Sequence, residues 1–73
     1  MMQQQLAKDK IRERRISLGL SHDTAAARAG AMSVVLYRNI EIGHYPNAPI
    51  GTAFWLAQAL ECSVEDISEF VVQ

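Results

Sequence analysis

Apolar residues recur along this chain at helical spacing, in runs that glycine and proline cut short. Leu6, Ile11 and Leu18 fall at roughly helical intervals among Lys10, Arg12, Arg14 and Arg15, which predicts a first helix over 5–18, closed by Gly19. Ser21 stands where an N-cap accepts an unpaired backbone N–H, and Ala25-Ala26-Ala27 has high helix propensity and no bulk, so a second helix is expected over 22–29. Gly30 supplies the left-handed backbone of a helix stop. Ser33 can start a third helix, over 33–40, carrying Val34, Val35, Leu36, Tyr37, Arg38 and Asn39. The stretch from Ile42 to Pro49 then breaks all periodicity with a glycine and two prolines. Pro49 fits the first turn of a fourth helix over 50–61, with Ile50, Ala53, Phe54, Ala57 and Leu60 on one stripe that Trp55 and Leu56 widen. Ser63, with Asp66 in the first turn, resembles the start of a fifth helix over 64–70 that buries Val64, Ile67 and Phe70. No strand pattern, repeat or linker stands out, so the expectation is one all-α domain of five short helices over 1–73.

Helices two and three, joined at Gly30, have the outline of a helix-turn-helix, whose second helix enters the DNA major groove. Charge bears on this. The formal net charge of −1 is wrong for a nucleic-acid binder, but all seven Lys and Arg (Lys8, Lys10, Arg12, Arg14, Arg15, Arg28, Arg38) precede residue 40. That half nets +4 and residues 41–73 net −5, which predicts a dipolar molecule with one face suited to phosphate.

Composition narrows the rest. Seventy-three residues, 49% of them hydrophobic, are near the lower limit for a core that folds without staples. The single Cys62 has no disulfide or metal partner, so a reducing cytoplasm is the expected home. Met1-Met2-Gln3-Gln4-Gln5 leads into charges, not into the apolar run of a secretory leader, and no stretch is long enough to span a bilayer. Two histidines, one cysteine and scattered carboxylates form neither a nucleophile–base set nor a metal-ligand spacing, so no enzyme, metal site or cofactor is expected.

Ile11-Arg12-Glu13-Arg14-Arg15 followed by Leu18-Gly19-Leu20-Ser21 resembles the opening of the Cro/phage-repressor type helix-turn-helix domain (the XRE family). The resemblance continues through Ala26, Gly30, Leu36-Tyr37-Arg38, Ile40-Glu41-x-Gly43, the loop proline, Leu56-Ala57-x-Ala59-Leu60 and Ser63-Val64-x-Asp66-Ile67, roughly residues 8–68. It implies a five-helix, lambda-repressor-like domain that binds double-stranded operator DNA as a homodimer and represses transcription, often its own. It also implies a structural pair between Arg15 and Glu41, tying the recognition helix to the scaffold. Phage, restriction-control and antitoxin roles all fit. A toxin or anti-repressor is the alternative kind of partner, and the chain would then be mainly a protein-interaction module.

Three departures from the family pattern shape the site. Gly30 to Glu41 is one residue longer than in most members. An extra residue late in helix three turns Leu36 and Ile40 inward and Ser33, Val34, Tyr37 and Arg38 toward the groove, and this reading needs no buried hydroxyl partner. An early one, at Ala31-Met32, turns Tyr37 and Ile40 inward and Val34, Val35, Arg38 and Asn39 toward DNA. The groove face is also unusually apolar: a valine can pack on a thymine C5-methyl, while the Arg38 fork matches guanine O6 and N7 or a phosphate. Finally, His22 replaces the usual glutamine at the start of helix two, where it can meet phosphate. His44, Tyr45 and Asn47 occupy the loop that relatives press on the DNA backbone. The expected DNA-facing set is Ser21, His22, Ser33, Val34, Tyr37, Arg38, Asn39 and His44, with Trp55, Phe70, Val71 and Val72 as the apolar dimer surface.

Overall fold

The computed structural model describes residues 2–72, with side chains from Gln4 onward. Its elements are β1 (Met2–Leu6), α1 (Lys8–Ser17), α2 (His22–Arg28), α3 (Val34–Glu41), α4 (Ile50–Ala59), a 3₁₀ turn (Val64–Ile67) and β2 (Ser68–Val72). Four α-helices are present among the described residues, not five. The segment expected as a fifth helix is one 3₁₀ turn followed by a strand, and the expected first helix begins only at Lys8.

The strands explain both corrections. β1 and β2 pair antiparallel, from Met2 opposite Val72 to Leu6 opposite Ser68. Ser63 and Asp66 form the expected cap as a full capping box, but the chain then turns extended at Ser68. Ser-Glu-Phe-Val-Val has the β-branched and aromatic content of a strand, and pairing with β1 satisfies its backbone better than one more helical turn would. At the base of this ribbon the Leu6 N–H donates to the Pro46 carbonyl at 2.8 Å, and Lys10 Nζ donates to the Ser68 carbonyl at 3.0 Å.

The core lies among the helices. Tyr37, Ile11, Ile40, Leu56, Leu60 and Ile67 are fully enclosed, and α2 contributes only Ala25, Ala26 and, just past its end, Ala29. These alanines let α3 and α4 pack close on α2. Helix α4 departs from its expected stripe: Ala53, Leu56, Ala57 and Leu60 are buried, whereas Ile50 and Phe54 are exposed. Pro49 is its N-cap and not its first helical residue. Arg14 closes the other end, donating from Nε to the Leu60 carbonyl and from Nη2 to the Glu61 carbonyl, both at 2.9 Å.

The turn between α2 and α3 uses two left-handed residues in a row, Gly30 (φ 68°) and Ala31 (φ 57°). Trp55 of α4 lies flat beneath this turn; a Cβ on Gly30 would meet its ring at 3.0 Å. That contact fits the expectation that Trp55 widens the packing stripe of α4, while 47% of the residue stays exposed.

Candidate nucleic-acid interface

Helices α1 and α3 are tied by one ion pair. Arg15 Nε donates to both Glu41 carboxylate oxygens (3.2 and 3.0 Å), Nη2 donates to Oε1 at 2.8 Å, and Nη1 donates to the Leu20 carbonyl at 3.0 Å. The side chains are 11% and 5% exposed. Burial alone would raise the Glu41 pKa. The Arg15 hydrogen bonds, the nearby Tyr37 hydroxyl and the Arg15 and His22 charges outweigh it and hold the carboxyl below its usual range. The Tyr37 hydroxyl is buried beside this carboxylate without a well-formed hydrogen bond. Burial first, and the Glu41 charge second, push its pKa upward, so it stays a neutral phenol. His22 Nε2 lies 3.6 Å from Glu41 Oε1, and its ring meets Tyr37 edge to face.

This pair forms the floor of an open hollow. Lys8, Asp9, Arg12 and Arg15 of α1, His22 of α2, Arg38 and Glu41 of α3, and Ile42 line it. Residues 8, 12 and 15 share one helix face by their spacing. Lys10 and Arg14 point the other way, to the backbone bonds described above, and Arg28 lies 3.7 Å from Glu61. The positive face is therefore smaller than the charge count suggested. Arg12 and Arg38 have no ion-pair partner among the described residues, and Lys8 reaches only the adjacent Asp9, at 3.3 Å.

Helix α3 shows which way its residues face. Tyr37, Ile40 and Glu41 are buried, Val34 is half-buried against the core, Arg38 is exposed and Asn39 half-exposed. Val35 is 64% and Leu36 37% exposed. The orientation with Leu36 inward and Tyr37 outward is thus overturned, and Tyr37 is out of reach of any duplex. The two consecutive left-handed residues of the turn, Gly30 and Ala31, set the start of α3 so that Tyr37 and Ile40 face the core.

The remaining expected residues scatter. Ser21 Oγ accepts the Thr24 N–H at 3.1 Å and Ser33 Oγ the Leu36 N–H at 3.4 Å, so both hydroxyls serve as helix caps. The His44 N–H donates to the Asn39 carbonyl, tying the loop to α3, while Tyr45 joins Leu36, Ile40 and Pro49 around a shallow apolar cleft. Lys8 was not singled out from sequence, although its spacing to Arg12 and Arg15 was the available signal. Phe70 and Val72 are exposed on β2, and Val71 is half-buried.

The sequence profile of the helix-turn-helix family matches residues 11–67, from the buried Ile11 of α1 to the buried Ile67 of the 3₁₀ turn. The chain belongs to the Cro/C1-type (XRE) helix-turn-helix family. No curated protein and no solved structure matches it. As in a helix-turn-helix protein generally, α2, the Gly30 turn and α3 form the motif, and members of this family are DNA-binding regulators. No helix among the described residues is long and apolar enough to cross a membrane.

Proposed function

We propose that this helix-turn-helix protein is a sequence-specific, double-stranded DNA-binding transcriptional repressor acting on its own promoter. The outer face of α3 enters the major groove. The observation that carries this reading is the hollow beside that face, where Lys8, Arg12, His22 and Arg38 converge around a rigid Arg15–Glu41 floor. A phosphate track passing there satisfies Arg12 and Arg38, which have no ion-pair partner among the described residues, and runs beside Lys8, held only by the adjacent Asp9. Because Arg38 lines this hollow with Arg12, it is assigned to the DNA backbone and not to guanine. Arg38→Ala then weakens binding about tenfold on every duplex tested and reduces the salt slope by about one. The check is a gel-shift titration on the DNA upstream of the gene, with wild type alongside. Unchanged binding by the mutant removes Arg38 from the interface.

A homodimer places two α3 helices on half-sites about one helical turn apart. The ribbon supports it: Phe70 and Val72 expose apolar side chains on a strand with no lysine, proline or bulge to guard its edge. A second reading, a module that mainly binds a protein such as a toxin or anti-repressor, is favoured by a different surface. Ile50 is 84% exposed, with Phe54 one turn on along α4 also exposed. Binding that ignores salt, with no shift of any duplex, selects that reading.

A further inference from the structure

Helix α3 presents an outward ridge, one turn long, whose chemistry is unlike that of the hollow beside it. Val35 and Asn39 are four residues apart and lie on the helix side opposite the buried Tyr37, Ile40 and Glu41. Val35 is among the more exposed large apolar residues of the chain. The Asn39 side chain makes no hydrogen bond among the described residues. The ridge therefore offers two methyl groups and, beside them, one free amide with both donor and acceptor.

We infer that this ridge is a reader of A·T pairs: Val35 packs on a thymine C5-methyl, and Asn39 takes an adenine in the same half-site. In the major groove the C5-methyl is the one apolar group a base presents, and adenine N6 and N7 match the donor and acceptor of an amide. Cβ atoms four residues apart on a helix are about 5–6 Å distant, against about 3.4 Å per base step, so the two side chains reach neighbouring pairs. Guanine and cytosine offer nothing to Val35. The occupant is DNA and not an apolar protein because the exposed Arg38, next to Asn39 on α3, has no ion-pair partner among the described residues, and an apolar partner over the ridge would desolvate it unpaired. The inference rests on the major-groove reading above and adds the base composition of the operator.

The test selects binding sites for the full chain from a randomised duplex pool, then replaces each thymine of the selected site with uracil, which lacks only the methyl. Wild type loses about fourfold in affinity at one thymine, the value of one buried methyl. Val35→Ala binds the thymine and uracil forms equally. Asn39→Ala loses about tenfold of the discrimination at the adenine. Both substitutions are at solvent-facing positions, and thermal melts confirm that the variants fold. A selected site without A·T pairs, uracil that costs nothing at any position, or a uracil penalty that persists in Val35→Ala overturns the inference while leaving major-groove binding intact. Failure to enrich any sequence overturns major-groove reading itself.

Discussion

Arg15→Ala lowers the unfolding free energy by about 3 kcal/mol, the low end for breaking a buried ion pair, because it strands the Glu41 carboxylate with only His22 and the Tyr37 hydroxyl nearby. In a chain of this size that shifts Tm by more than about 10 °C. Glu41 lies at the floor of the hollow with its side chain only 5% exposed, so the carboxylate stays largely desolvated when its partner is removed. The contrast is Tyr37→Phe, which removes a buried hydroxyl that makes no good hydrogen bond and leaves stability within about 0.5 kcal/mol. The pH dependence follows from the same pair. The Glu41 pKa is lower folded than unfolded, so its contribution is complete above the unfolded value, about 4.3, and is lost as pH falls through the folded one. Asp66, held down by hydrogen bonds at Ser63, adds a loss in the same acid range. Denaturant melts of wild type and Glu41→Gln between neutral pH and acid separate the two, since the Glu41 part vanishes in the variant. Equal stability of wild type and Arg15→Ala at neutral pH would show that the pair is only a surface contact.

Gly30→Ala lowers stability by about 2 kcal/mol. A left-handed backbone costs a residue with a Cβ about 1–2 kcal/mol, and the new methyl must also push the Trp55 ring, 3.0 Å away. Gly19→Ala isolates the first part: its φ is 70°, nearly the same, but a Cβ there meets nothing within 4 Å. The difference between the two variants is the packing term, and it shrinks when Trp55 is also replaced by alanine, in a double-mutant cycle. Equal losses at Gly19 and Gly30 would mean that Trp55 gives way without resistance.

Much of this architecture was legible because local chemistry agreed with it. Ser21, Ser33 and Ser63 cap where a short polar side chain precedes a helix, and Gly30 stops α2 where the backbone turns left-handed. The misses arise where a distant part of the chain decides. Gln3-Gln4-Gln5 has no strand preference of its own, and only its pairing with Glu69, Phe70 and Val71, at the opposite end of the sequence, makes it extended. The segment over 64–70 reads as a helix from its cap, and the short apolar run at residues 70–72 carries no periodicity that separates helix from strand. In α3 the sequence left two orientations open, and which one packs depends on the turn geometry at Gly30 and Ala31, which brings Tyr37 inward. Charge was legible as a total but not as a surface, because Lys10 and Arg14 are spent on the backbone of β2 and of the α4 terminus.

The measurement that bears most directly on the account is the salt dependence of binding to the upstream duplex between about 50 and about 200 mM. Each phosphate neutralised contributes about −0.9 to the slope of log K against log salt. With Lys8, Arg12 and Arg38 in contact, the slope is at least about −2.5 per chain, and replacing Lys8 and Arg12 together by glutamine makes it about 1.8 less steep. A slope near zero, or one that the double replacement leaves unchanged, would contradict a duplex lying across the hollow beside α3.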